Sequence, residues 1–576
     1  MTTQLRIGVT GHRPALLGET DPDLLQARVA AVFAAVDQAM APFDGRVTLI
    51  SCAAAGADRL AAAAGEQRGW AHEAILPFPA DDYARDFAGG PDVEAFRHSL
   101  ATAQRVFALD GVRDDASGET DLRRGARAYE RAGRVLLAQC DLLVGIWNGG
   151  PPGGPGGTGQ VVAEAVIAGV PVIHLALATD VAPTILWSGL NAHALGEDTV
   201  DTVARAGLDR LPEVLAALPG LRGADGPQVA SAPPSRAWLE APLAWPYRML
   251  LWLTRARAGR GFAAATPAAH PAPPPLAADL AERFAAADRA ASAAAAAYRG
   301  AYVANFVLAA AAVLVSLSGL VLPMAAKPLL LAGEIALIAA ILTVTGLGTR
   351  RGWHQVWIEQ RQLAERLRCL DLAARLGDLG LRGHGAGTRP GVQAEACVAA
   401  RALGLPAQAV TPAWLAAMRD ELLALTADQR GYFAREARTM HRLDHALHRA
   451  GVILFSATAA VCVAFLGYEA WLGLTGHPVD EEHLHHLALW VTLLTAAFPT
   501  LGAALHGIRM QGDFAGAAER SHAVDTQLAG LERAIRDEPP GFDTLVVRMR
   551  RVMALLTEDL DSWTYTYQGR PLVLPG

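Results

Sequence analysis

The sequence predicts an N-terminal α/β domain built on an open parallel sheet, followed by an all-α membrane domain with four transmembrane helices and long cytoplasmic helices. Three observations predict it. The first half alternates short β-branched runs with helical segments, the pattern of a parallel sheet covered on both faces. Four later stretches, Tyr302 to Leu322, Leu329 to Leu347, Gly451 to Leu474 and Leu487 to Leu505, each approach the roughly 20 apolar residues that a helix needs to cross hydrocarbon. Between the halves, Ala263 to Pro275 carries five prolines and reads as a stiff, extended linker.

Strands are expected at Leu5 to Val9, Val47 to Ser51, Glu73 to Leu76, Val106 to Leu109, Leu142 to Trp147 and Val170 to Leu175. Several run straight into small or polar residues: Thr10, Gly11, His12 and Arg13 after the first, Gly56, Asp58 and Arg59 after the second, Trp147 and Asn148 at the end of the fifth. In an open, Rossmann-like sheet the carboxyl ends of the strands form the crevice where ligands bind, so these turns converge on one place.

The longest turn, Gly149 to Gly159, reads GGPPGGPGGTG and opens a helix expected from Gln160 to Ala168. It reads as a phosphate-binding turn or as a flexible loop: in the first reading, residues without side chains let backbone N–H groups approach an anion, the helix N-terminus adds partial positive charge, and the Thr158 hydroxyl adds a donor beside Gly156 and Gly157. No Gly-Lys-Ser/Thr follows, so this is not a nucleoside-triphosphatase phosphate loop. Arg13 offers a planar fork to a phosphate, or pairs with a surface carboxylate; His12 offers a donor or a stacking ring. Asp58 either touches ligand or caps a helix, and Arg59 carries the same two readings.

Leu177 to Leu221 is expected to complete the soluble domain with one or two helices. Trp238 to Arg257 mixes tryptophan, tyrosine and arginine with leucine and either lies on the membrane surface or packs on the sheet.

The membrane half reads as a duplication. Phe284, Arg289 and the start of the first apolar stretch correspond to Phe433, Arg438 and the start of the third at a constant offset of 149 residues, and Ala364-Glu365-Arg366 recurs as Ala518-Glu519-Arg520. Each unit is then an amphipathic helix, a two-span hairpin and a second helix carrying Ala-Glu-Arg, a duplication common in subunits of symmetric oligomers. The segment from Thr349 to Arg449 is dense in arginine, whereas Thr475 to His486 carries Asp480, Glu481 and Glu482 and no Lys or Arg, which places both termini and the middle segment inside. Met1 to Arg13 has neither a basic nor an apolar run, so no cleavable signal peptide is expected. Glu334 falls within the second span and reads as a lining of a cation path or as a carboxylate that snorkels to the outer boundary. Glu481, Glu482, His483, His485 and His486 read as a polar loop, and no metal site is expected.

The net charge of −7 averages two unlike halves, but with no basic stripe it leaves little to neutralise nucleic acid. Five cysteines without CxxC spacing exclude a zinc-ribbon or disulfide framework and fit a reducing compartment.

Gly8 to Arg13, Ala55 to Arg59, Leu76-Pro77-Phe78-Pro79 with Tyr83 and Asp86-Phe87, Cys140 to Leu143, and Gly156-Gly157-Thr158 together resemble the SLOG superfamily over Leu5 to Leu177. That superfamily joins Smf/DprA-type proteins, LOG-type phosphoribohydrolases and nucleotide-sensing domains of immune and channel proteins. The LOG motif P-G-G-x-G-T-x-x-E would place a catalytic glutamate three residues after its threonine. Here Glu164 lies six residues after Thr158, about one helical turn too deep, so binding without turnover is the expectation, and Glu164 and Asp58 are the carboxylates an enzyme would have to use.

Trp357, Arg361, Ala364, Glu365 and Arg368, with the second copy at Ala518 to Arg520 and the hairpins, resemble the SLATT family of two-span membrane effectors. The two resemblances imply residues 1–225 as the nucleotide-binding domain, 226–262 as a juxtamembrane segment, 263–275 as linker, and 276–410 and 411–576 as the two membrane units. They further imply a bacterial inner-membrane effector of a conflict system that senses a nucleotide second messenger, a cyclic oligonucleotide or an ADP-ribose derivative, made by a partner enzyme. A homo-oligomer in the bilayer with no required cofactor goes with that reading. The alternatives are a membrane-tethered LOG-like nucleotide hydrolase and a constitutive channel or transporter with a regulatory domain.

Overall fold

A computed structural model describes residues 3–18, 21–87, 89–113, 119–191, 198–221, 226–230, 242–256, 278–382, 388–475, 481–568 and 572. The proline-rich linker lies outside the described residues.

Six parallel strands follow the expected runs closely: β1 (Gln4–Gly11), β2 (Arg46–Ser51), β3 (Ala71–Leu76), β4 (Arg105–Ala108), β5 (Leu142–Trp147) and β6 (Val172–Ala176). All six residues of β5 are buried, as a central strand covered on both faces requires. Around them lie α1 (Pro22–Met40), α2 (Ala57–Glu66), α3 (Gly90–Thr102), α4 (Glu119–Gln139) and α5 (Thr158–Ile167). The helix α1 is apolar and long enough to cross a membrane, yet its Leu25, Val29, Phe33 and Val36 are buried against Leu5, Ile7 and Val9, so it covers one face of the sheet.

Leu177 to Leu221 departs from expectation. It forms two short strands, β7 (Thr184–Leu186) and β8 (Arg205–Gly207), antiparallel to their neighbours, and only then a short helix, α6 (Leu211–Ala217). The strands are too brief to show a two-residue period, and they extend the sheet edge beyond β6.

The C-terminal region is helical: α7 (Trp245–Leu253), α8 (Ala278–Ser318), α9 (Lys327–Arg351), α10 (Trp353–Arg375), α11 (Pro390–Leu403), then a two-residue strand β9 (Gln408–Ala409), followed by α12 (Pro412–Thr475), α13 (Glu481–Gly512), α14 (Phe514–Asp537) and α15 (Phe542–Gln568). Within α7 to α14, four helical stretches are long and apolar enough to cross a membrane, and many of their apolar side chains stay uncovered: Leu329 is 76% exposed, Ile453 67% and Val463 69%, although the first stretch buries Tyr302, Val303 and Ala310. The duplication is visible in the packing. α8 packs on α9 and α10, and α12 packs on α13 and α14. In each copy the apolar helix and the next helix join at a left-handed residue, Gly352 with φ 60° in one and Asp513 with φ 47° in the other. An aspartate tolerates that conformation at modest cost, and Asp513 is held by Arg520 at 2.9 Å.

The described part of Trp238 to Arg257 packs on a helix rather than on the sheet. Its described helix α7 lies against α8, with Tyr247 buried beside Tyr298 and Ala301.

Sheet and helices share one core. The strand order is β8-β7-β6-β5-β1-β2-β3-β4-β9, so the helical region supplies the edge strand, with Phe107 opposite Gln408 and Ala108 opposite Ala409. One face of the sheet, through Ile75, Phe107 and Leu143 with Val135 and Leu136 of α4, continues into Leu372, Met418, Leu528 and Phe542 of the long helices. Two buried ion pairs fasten the amino ends of the strands. Arg401 of α11 holds Asp141 with nitrogen–oxygen distances of 2.9, 3.0 and 3.1 Å, and Arg6 of β1 donates to Glu73 at 2.6 Å, while Glu73 also accepts the Leu405 N–H at 3.1 Å.

Candidate functional site

The sheet reverses its winding between β1 and β5, since the chain runs outward from β1 through β2, β3 and β4 on one side and from β5 to β6 on the other. A crevice opens beyond the carboxyl ends of strands at such a switch point. The turn after β1 and the turn after β5 meet there. The His12 N–H donates to the Ile146 carbonyl at 3.0 Å, and His12 Nε2 lies 3.1 Å from Asn148 Oδ1.

Glycines set how closely these turns approach. A Cβ on Gly11 would sit 2.2 Å from the Ala57 Cβ and 2.9 Å from the Ile146 carbonyl oxygen. Gly56 has φ +94°, and a side chain there would meet the His12 carbonyl oxygen at 2.6 Å. The turn after β2 therefore closes directly on the turn after β1, joined by the Ala57 N–H to the His12 carbonyl at 3.2 Å.

Arg13 stands at the mouth, about half exposed, with its guanidinium 3.1 Å from Asp86 and 5.1 Å from the Tyr129 ring centre. Tyr129 donates its hydroxyl to the same Asp86, and Arg113 pairs with it from the other side. Arg13 thus has the carboxylate partner of one reading, while its side chain stays about half exposed at the crevice. Arg59 turns to the Phe87 ring at 4.4 Å and to Asp92 at 3.3 Å.

Asp58 is buried and accepts the N–H groups of Cys52 at 3.0 Å and Ala54 at 3.3 Å. Burial pushes its carboxyl up to about 7, against those two N–H groups and the charges of Arg13 and Arg59. The folded carboxyl then keeps a proton that the unfolded chain has released above about pH 4, so Asp58 makes stability fall as pH rises through about 4 to 7, by at most about 1.4 kcal/mol per pH unit. Asp58→Asn removes this slope while its amide oxygen still accepts both N–H groups. Thermal melts of the full chain in detergent should show the variant's advantage over wild type smallest near about pH 4, widening as pH rises to about 7 and level above that; a gap independent of pH would refute the assignment.

The glycine-rich turn packs on α4. Gly156, with φ +77°, lies so close that a Cβ would approach the Glu130 nitrogen and the Tyr129 Cβ at 2.6 Å, and its N–H donates to Gln160 at 2.8 Å. Gly157 caps α5, which begins at Thr158, two residues before the expected start. Thr10, Gly157 and Thr158 are all partly exposed, and Trp147 is buried with its indole N–H on the Gly150 carbonyl at 3.1 Å. Glu164 is held by Arg134, with both oxygens at 3.1 Å, and by Gln160 at 2.9 Å; among the described residues no hydrogen bond joins it to His12, Arg13 or Asp58. Glu334 is half-exposed in α9, and among the described residues it has no ion pair. No group of three or more metal-ligating side chains occurs among the described residues.

Tyr129 and Arg113 escaped the sequence reading. Tyr129 sits on an arginine-rich helix more than 40 residues from Asp86, and no local pattern joins them. Arg131, two residues beyond Tyr129 and so on the opposite side of α4, pairs with Asp110 at 2.6 Å and with Asp543 of α15 at 2.8 Å. α4 thus stands between the crevice and the docked helices. Compared with known proteins, the chain matches no family model and no curated protein.

Proposed function

We propose that the chain is a nucleotide-sensing membrane effector, in which a SLOG-type crevice senses a phosphate-bearing ligand and a duplicated SLATT-type unit perforates or depolarises the membrane. The observation that carries the reading is the Gly11-His12-Arg13 turn at the switch point, tied through Tyr129, α4 and the Arg131–Asp543 pair to α15, which packs on α10, α12 and α14. In this reading the four stretches Tyr302 to Leu322, Leu329 to Leu347, Gly451 to Leu474 and Leu487 to Leu505 cross the bilayer, supported by their uncovered apolar faces. The arginine-rich segments stay inside with both termini, in a bacterial inner membrane. The ligand is a cyclic oligonucleotide or an ADP-ribose derivative from a partner enzyme, and the subunits form a homo-oligomer. Moving the population from 1:99 to 99:1 requires the ligand to favour the open state by about 5.5 kcal/mol. The ion pairing of Glu164 favours sensing over hydrolysis.

The test reconstitutes the full chain in potassium-loaded vesicles and adds a panel of cyclic oligonucleotides and ADP-ribose derivatives, reading membrane potential by dye and ligand integrity by chromatography. One ligand should collapse the potential and stay intact. Arg13→Gln should raise the concentration needed by about 10-fold to 100-fold, the loss of one charge-assisted contact. Consumption of the ligand, or collapse without any ligand, would overturn the proposal.

A further inference from the structure

A cavity of about 310 Å³ that shares no lining residue with the crevice lies among α8, α10, α12 and α14, where the two duplicated units meet. Four arginines line it, Arg248, Arg299, Arg361 and Arg520, against two carboxylates, Glu365 and Glu436. Its walls are otherwise aromatic and small. Tyr298 lies against Trp357 with centroids 5.5 Å apart and planes at 30°, and Ala295, Ala517 and Gly512 leave the open space.

The arginines are presented in a particular way. The Arg299 guanidinium lies 5.1 Å from the Trp357 ring centre and 5.6 Å from that of Tyr247, and Arg361 lies 5.5 Å from that of Tyr432. A guanidinium meets oxoanions through its N–H edge. Arg361 is fixed by Glu365 at 2.6 Å and Asp288 at 3.2 Å, and Arg520 by Asp513 at 2.9 Å. These contacts hold the positions, and the lining presents four guanidiniums to two carboxylates, with Asp288 and Asp513 pairing from outside it. The cavity also adjoins the start of the first apolar stretch at Tyr302, and α7 beside it exposes Trp245, Trp252 and Leu253, an arrangement suited to the headgroup level of a bilayer.

We propose that this cavity binds a phosphate ester carrying an apolar or planar group, with the phosphate on Arg299, Arg361 and Arg520 and the other part against Tyr298, Trp357 and the small residues. Arg299 and Arg361 belong to the first unit and Arg520 to the second, so the ligand bridges the two and stabilises one arrangement of the hairpins. The site stands independently of the crevice. Its ester comes from an acidic phospholipid of the inner leaflet or from a free nucleotide, and both present the same chemistry.

Native mass spectrometry of the full chain in an uncharged detergent distinguishes the sources, with dihexanoyl phosphatidic acid, adenosine monophosphate and inorganic phosphate as probes. At least one ester should form a one-to-one adduct at least tenfold more tightly than inorganic phosphate. Arg299→Gln removes a charge and Ala517→Leu fills the space; either variant that keeps the wild-type melting midpoint should weaken the adduct at least tenfold. A lipid adduct alone assigns the inner leaflet, an adenosine monophosphate adduct alone assigns a soluble ligand, and both together assign the shared chemistry. No ester adduct, inorganic phosphate bound as tightly as the esters, or adducts that survive both substitutions would overturn the proposal.

Discussion

Replacing Arg401 with methionine should destabilise the full chain by about 3–5 kcal/mol, because it leaves a buried carboxylate without its counter-charge. Arg401 is 2% exposed and Asp141 4%, and after the substitution Asp141 keeps only the Arg6 N–H at 3.1 Å among its described hydrogen-bond donors. The pair joins α11 to the residue just before β5, so the damage falls on the seam between helices and sheet. Melting followed by circular dichroism should show a lower midpoint and a transition that splits, with the helices parting from the sheet first. Arg401→Met combined with Asp141→Asn should recover much of the loss, since the amide carries no charge and its oxygen still accepts the Arg6 N–H. A single variant that melts like wild type would mean that this pair does not hold the seam.

Truncating Phe542 to alanine should cost about 3–5 kcal/mol locally and disconnect sensing from response. Its ring is 3% exposed, with centroids 6.0 Å from Phe107 on β4, and Arg131 of α4 lies 5.8 Å from it. Next to it Asp543 takes the Arg131 ion pair. Under the proposed function, the Phe542→Ala protein binds ligand in the crevice within about threefold of wild type, because no crevice residue is altered, yet fails to depolarise vesicles. Arg13→Gln instead shifts binding and response together, by the same factor of about 10-fold to 100-fold. Calorimetry and the dye assay on the same preparation separate the two. A Phe542→Ala protein that is less stable but still responds fully would show that coupling runs by another route.

The six parallel strands and the long apolar helices were legible because each announces itself through local periodicity or length. Glycine, histidine and arginine directly after a strand pointed to the crevice for the same reason: order along the chain fixes which end of a strand they occupy. What escaped was whatever depended on distant partners. β7, β8 and β9 are two or three residues long and show no period, so pairing with neighbours alone makes them strands. Likewise Tyr129 joins the crevice only because α4 crosses behind it, and the cavity between the duplicated units exists only where four helices converge.

The sequence by itself determined the two architectures, their order, and the residues at the carboxyl ends of the strands, since hydrophobic period and chain direction are local properties. Tertiary structure alone decided that the two halves share a core. Arg401 and Asp141 stand 260 residues apart, and a buried charge pair forms only when folding removes both groups from water in register.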